Sequence, residues 1–212
     1  MKYQVFCLFV IVLLSQANSC DKKPEKPVPK PCLERARFGD PQNSPYVLPY
    51  PPGKEYVLSQ SYCNPNGGHS NQLAYDFALS VGDTVTAART GVVKEIRDDV
   101  PDTGTNPDPG AHNHVFIQHA DGSVAFYAHL KQNAVLVEVE QTIEAGQPIA
   151  LSGNSGNTAS FPHLHFGVYE EWPAVECFDL PINFKHAEGP LDAHGGLITD
   201  QWYKALDFQG EN

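Results

Sequence analysis

From Lys54 onward the apolar residues come in short runs separated by turn-forming residues. Successive side chains of a strand point to opposite faces, so short apolar or alternating runs bounded by Gly, Pro, Asn and Asp mark strands. This pattern predicts strands over Glu55–Leu58, Leu73–Leu79, Thr84–Ala87, Gly91–Arg97, His114–His119, Ser123–Leu130, Gln147–Ser152 and Leu164–Tyr169. Asp121-Gly122 lies between two of them and is a strong tight-hairpin signal. No stretch longer than about ten residues keeps a helical period. Asn133–Glu138 and Trp202–Leu206 fit either a short helix or a strand. The fold class that follows is mainly β, an antiparallel sheet or sandwich. Two segments stand apart from the strands. Leu33–Pro52 is Pro-rich and is expected to wrap the surface as loop and short edge strand. Asp98–His112 is a polar loop of about fifteen residues, a length associated with function or mobility.

The amino terminus follows a different pattern. Val5–Leu14 is an unbroken apolar run of ten residues behind Lys2. A bilayer span needs about 20 residues, so the run has the length of a signal-peptide core. Polar Ser15–Ser19 follows, and cleavage is expected between Ser19 and Cys20. Ala17-Asn18-Ser19 offers the small residues that a general signal peptidase needs. Leu14–Cys20 also resembles a relaxed bacterial lipobox with Ala17 where Leu is usual, which makes Cys20 a candidate lipidated first residue. Asp21–Pro31 (DKKPEKPVPKP) is charged and Pro-rich, a semi-rigid spacer suited to a tether. Removal of Cys7 with the signal leaves Cys20, Cys32, Cys63 and Cys177. Lipidation of Cys20 would leave one disulfide and one free thiol, and its absence would allow two disulfides. Spacing alone does not choose the pairing.

Charge narrows the partners. The 212 residues carry 14 Lys+Arg against 25 Asp+Glu, a formal charge of −11. That balance excludes sequence-independent nucleic-acid binding, which depends on neutralising phosphates. An apolar fraction of 41% excludes global disorder.

Nine histidines are present, and several sit where chemistry is plausible. His163-Leu164-His165 opens an apolar run, and residues two apart on a strand project to one face. Asp76 lies in Tyr75-Asp76-Phe77-Ala78-Leu79, a run that calls for burial. A buried carboxylate without a partner is costly, and either a cation or hydrogen bonds would offset that. His69 follows the turn Asn66-Gly67-Gly68, and His129 closes the second strand of the hairpin. Two His and one carboxylate form a known ligand set for a catalytic zinc, with a fourth position left for water.

Taken in order, these motifs resemble the lysostaphin-type (LytM-like) zinc endopeptidases of bacterial cell walls. The resemblance covers about Val57–Tyr169. It runs through His69…Asp76, Val81–Val93, Tyr127-Ala128-His129-Leu130, Ala145–Gly156 (AGQPIALSGNSG) and Pro162–Phe166 (PHLHF). It implies an antiparallel β core with long loops forming a groove. It further implies one Zn²⁺ per chain on His69, Asp76 and His165, with His129 and His163 as the catalytic histidines. The implied reaction is hydrolysis of peptide bonds in peptidoglycan stem peptides or cross-bridges. The competing readings are a catalytically inactive peptidoglycan-binding or activator lipoprotein, and a zinc peptidase acting on a protein. Many family members have a shorter spacer between the first His and the Asp. Here it is six residues, Ser70–Tyr75, which keeps His112 and His114 in reserve as substitutes for His69. No acid follows His112-Asn113-His114 within Val115–His119, so those two are expected to have no metal role. His119, His186 and His194 are expected to be structural or solvated. The expected organisation is a signal peptide over 1–19, a tether over 20–32 and a wrapping segment over 33–56. The peptidase core follows over 57–170, with a C-terminal extension over 171–212 packing on it. The expected setting is the bacterial envelope, with the chain anchored through Cys20 or otherwise secreted.

Overall fold

The computed structural model describes residues 30–108, 110–174 and 178–208. The expected signal peptide, Cys20, most of the expected tether and Cys177 lie outside the described residues. Twelve strands are present among them: β1 (Glu55–Gln60), β2 (Tyr75–Phe77), β3 (Thr84–Thr86), β4 (Gly91–Arg97), β5 (His114–Gln118), β6 (Val124–Ala128), β7 (Leu130–Val135), β8 (Thr142–Ile143), β9 (Pro148–Ser152), β10 (Leu164–Tyr169), β11 (Ala187–Glu188) and β12 (Trp202–Ala205). Among the described residues, helix is confined to α1 (Cys32–Arg35) and a 3₁₀ turn at Pro41–Asn43.

Nine strands form one antiparallel sheet in the order β11-β12-β1-β2-β10-β6-β5-β4-β8, and β3-β9-β7 form a second. Alternation decides the faces. Tyr75, Phe77, Val115, Ile117, Tyr127 and Phe166 all point inward and are fully buried. Val85, Leu130, Ile149 and Ala150 of the smaller sheet join the same apolar cluster. Asp76, His114 and His165 alternate with these and lie on the opposite face of the large sheet.

The chain changes sheets at His129. That residue has φ of 61°, which breaks the strand expected over Ser123–Leu130 into β6 and β7. β7 then pairs with β9. A single-strand reading fails there because the apolar run continues through the turn. Of the two undecided segments, Asn133–Val135 ends β7 while Leu136–Glu138 lies beyond it, and Trp202–Ala205 forms β12. The Asp121-Gly122 turn joins β5 and β6 as expected, with Gly122 at φ 91° and Asp121 accepting from Ser123.

Leu33–Pro52 does more than wrap the surface, and no strand is assigned within it. Tyr46, Val47, Leu48 and Tyr50 are buried. Tyr50 packs edge-on against Phe77 at 5.5 Å and donates to the Tyr203 carbonyl at 2.7 Å. The carboxyl-terminal stretch also enters the core. Phe184 packs on Tyr75 and Phe166, and β12 extends the sheet beyond β1. Cys32 and Cys63 form a disulfide.

Candidate metal centre

Strand register builds the centre. β2 lies between β1 and β10, and Asp76 is paired with Gln60 on one side and His165 on the other. Three side chains thus stand in a row across the outer face. His69 reaches the same point from the loop between β1 and β2. His69 Nε2 lies 3.0 Å from His165 Nδ1 and 3.2 Å from Asp76 Oδ1, and His165 Nδ1 lies 3.0 Å from Asp76 Oδ1. Ligand atoms about 2.0 Å from a tetrahedral ion are about 3.3 Å apart, so this triangle has the size of one face of such a site. Among the described residues, these three form the one His/Cys/Asp/Glu group compact enough to hold a metal ion.

The chemistry of the donor set fits a cation as well. His69 Nδ1 donates to the Ser61 carbonyl at 3.1 Å. That bond fixes the tautomer, so the Nε2 lone pair faces Asp76 and His165, the usual arrangement behind a metal-ligating imidazole. His129 Nδ1 donates to the Ser155 carbonyl and His163 Nδ1 to the Phe161 carbonyl, both at 2.8 Å. Their Nε2 atoms are thereby left as acceptors. The His129 and His163 rings are 4.6 Å apart, and His163 Nε2 is 3.7 Å from Asp76 Oδ2.

Burial sets the electrostatics. For Asp76, desolvation opposes ionisation, but the His165 and His69 imidazoles against it outweigh that and hold the carboxyl far below its usual range. For His129, burial together with His163 and His165 pushes the imidazole down to about 3. Burial likewise lowers His165, against the pull of Asp76. Asp76 is therefore held ionised, while burial favours the neutral form of His129 and His165, the protonation that metal ligation needs.

An open pocket of about 470 Å³ lies over the centre, bounded on one side by Asn157, Thr158 and Ala159. That wall is tied to the long polar loop. Thr105 bridges to Asn157, Thr158 N–H donates to the Gly104 carbonyl, and Asp102 accepts from the backbone of Gln132 and Asn154.

The remaining histidines lie apart from the triangle. His112 packs against His129 at 5.6 Å between ring centres, and burial lowers it to about 4. His114 pairs with Glu95 at 3.0 Å. His119 donates to the Thr90 carbonyl. His186 stacks on Phe208, and the His194 backbone N–H donates to Asp192. Gln60 is the participant that sequence reading missed. Its Nε2 donates to Asp76 Oδ2 at 2.9 Å, and its Oε1 accepts from Gly68 N–H at 3.1 Å. Only the β1–β2 register places it opposite Asp76.

The chain is similar in sequence to known proteins. Peptidoglycan DD-endopeptidase ShyA of Vibrio cholerae is 37% identical over 91 residues, covering 43% of this chain and 18% of the relative. Peptidoglycan DD-endopeptidase ShyB of the same organism is 32% identical over 141 residues, covering 63% of this chain and 30% of the relative. The chain thus spans less than a third of the length of these curated relatives. A crystal structure of a zinc-containing peptidase from Vibrio cholerae aligns over 65% of this chain and 41% of its own, at 28% identity and a TM-score of 0.46. The model of Peptidase family M23 matches residues 70–177, about half of the sequence and the whole stretch from Asp76 through His165, and the chain belongs to that family.

Proposed function

We propose that the protein is a zinc-dependent endopeptidase that hydrolyses peptide bonds in peptidoglycan stem peptides or cross-bridges. The observation that carries the reading is the convergence of His69 Nε2, Asp76 Oδ1 and His165 Nδ1 within 3.2 Å of one another, beside two imidazoles with free Nε2 lone pairs. Relatives named as peptidoglycan DD-endopeptidases support the substrate class.

In this reading His69, Asp76 and His165 hold the ion. Zn²⁺ there supplies a Lewis acid that brings the pKa of water towards about 7 and polarises a carbonyl. His129 and His163 do the proton work. Each has Nδ1–H committed to a backbone carbonyl, so each accepts a proton at Nε2. The resulting imidazolium then donates to the leaving amine or to the developing oxyanion. The Ser155 and Phe161 carbonyls hold both rings in place during the transfer. Gln60 and the Ser61 carbonyl keep Asp76 and His69 oriented. The −11 charge gives no bulk attraction to an anionic wall, so recognition is local to the pocket. The reading also includes removal of 1–19, lipidation of Cys20 and an envelope location with the chain tethered near its substrate. Fatty-acid labelling that is abolished by Cys20→Ala tests the anchor.

The test of the activity is digestion of purified peptidoglycan followed by mass spectrometry of the muropeptides, with a chelator control. The parent protein releases cleaved cross-links, and chelation abolishes the release. His129→Ala and His163→Ala lose turnover while retaining zinc. Intact muropeptides from the zinc-loaded parent would refute the reading, and loss of zinc from either variant would refute the division between ligands and proton carriers.

A further inference from the structure

Asp76 and His165 are held by ladder hydrogen bonds between β2 and β10. His69 has no such support. It sits in the connection from β1 to β2, whose residues around it are turns, and six residues separate it from Asp76. A loop of this kind does not hold an imidazole within a few tenths of an ångström of a ligand position unless something else holds the loop.

Besides the bonds of His69 to Ser61 and of Gly68 to Gln60, four ties do so, and none of these four comes from the strand ladder that carries Asp76. The Cys32–Cys63 disulfide joins the start of this loop to α1, and Cys63 N–H donates to the Gln72 carbonyl at 2.9 Å, closing the loop's neck. From the same short helix, Arg35 Nη2 donates to the Asn71 carbonyl at 2.7 Å, two residues beyond His69. Arg35 Nη1 pairs with the Asp179 carboxylate, which also accepts from Leu73 N–H. Both side chains of that pair are largely buried, at 12% and 3% exposed. Asp179 in turn bridges to Tyr169 at the end of β10, the strand that carries His165. The guanidinium and carboxylate thus connect the His69 loop to the strand of another ligand, and the disulfide connects it to the amino-terminal segment.

We propose that the Cys32–Cys63 disulfide and the Arg35–Asp179 pair are positioning groups that set the metal affinity of the centre by holding His69 beside Asp76 and His165. This rests on the metal-centre reading above. It makes metal affinity dependent on thiol oxidation: the disulfide-bonded chain binds the ion tightly, and the open chain has a site of Asp76 and His165 with His69 only loosely attached. Arg35 is suited to the task because its planar fork donates to Asn71 and Asp179 at once, which a lysine ammonium on a flexible stem does poorly.

The test is Zn²⁺ affinity by competition with a chromophoric chelator, together with the visible spectrum of the Co²⁺-loaded protein. The proteins compared are the parent, Cys32→Ser/Cys63→Ser, Arg35→Lys, and each of these variants combined with His69→Ala. Changes behind a ligand typically weaken metal binding by about 10–100-fold, and a loss of that size is expected for both variants, with a weaker Co²⁺ band as tetrahedral coordination is lost. In the His69→Ala background the same changes should cause no further loss, because the ties act through His69. Parent-like affinity in both variants would overturn the proposal. So would an equal loss with His69 already removed, which would mark the ties as general fold support. Arg35→Lys keeps the disulfide and decides the matter if the serine variant does not fold. Failure of the parent to bind Zn²⁺ would remove the metal-centre reading, and the proposal with it, and is distinct from a parent that binds and is indifferent to the ties.

Discussion

Gln60 is the residue whose loss should separate orientation of the ligands from their presence. Its amide makes two contacts at the centre, one to Asp76 Oδ2 at 2.9 Å and one from Gly68 N–H at 3.1 Å. The first fixes which carboxylate oxygen faces His69 and His165, and the second holds the residue before His69. A hydrogen bond to a charged group contributes about 1.5–3 kcal/mol, and a change behind a ligand costs about 10–100-fold in metal affinity, equal to about 1.4–2.7 kcal/mol. The two routes agree, so Gln60→Ala should weaken Zn²⁺ binding about 10–100-fold while leaving all three ligand side chains in place. Gln60→Glu serves as a contrast. It can still accept from Gly68, but it places a second carboxylate against Asp76, and two such groups at contact distance resist double ionisation. Its Zn²⁺ affinity should therefore fall more steeply than the parent's as pH is lowered. Chelator competition at several pH values reads both effects. A Gln60→Ala protein with parent-like affinity, and a melting temperature in EDTA equal to the parent's, would show that Asp76 needs no orienting partner and would refute the argument.

Other expectations concern the core, the exposed ring beside His163 and acid stability. Tyr127 is fully buried and its hydroxyl accepts from Ala88 N–H at 2.8 Å, so Tyr127→Phe leaves that donor unpaired and should destabilise the fold by about 1–3 kcal/mol in urea unfolding. Phe161 is 52% exposed beside His163, and under the proposed activity Phe161→Ala should raise KM for muropeptides several-fold with little change in melting temperature. Burial lowers His119 to about 4, against a partly offsetting bond to Thr90, while the unfolded chain titrates near about 6.5. The folded state therefore holds fewer protons between those values, and the His119 contribution to stability is present above about pH 6.5 and lost as pH falls towards about 4. His119→Phe should show a shallower loss of unfolding free energy over that window than the parent, and equal slopes would refute the assignment.

Local pattern carried much of the architecture. β4 and β10 have the bounds that period-two alternation predicts, Gly91–Arg97 and Leu164–Tyr169, because a strand with one buried face must alternate. The Asp121-Gly122 turn was legible for an equally local reason, since its backbone needs φ above zero. The pair His163 and His165 was legible as one face of a strand, yet the two rings make different contacts. His165 enters the triangle with Asp76 and His69, and His163 stands next to His129.

What the pattern could not reach was set by pairing between distant segments. The break at His129 follows from β7 joining the other sheet, which no apolar run within Ser123–Leu130 records. Leu33–Pro52 reads as a surface wrap because its prolines resist the ladder, but Tyr46, Leu48 and Tyr50 join the apolar core. Gln60 is an ordinary polar residue until register sets it opposite Asp76. The pairing of Cys32 with Cys63 depends on where α1 packs. Residue types and their periodicity therefore determined the strands and supplied the histidines and the carboxylate. Only the tertiary fold decided which of them meet, because the distances that matter at the centre join residues up to 96 positions apart in the chain.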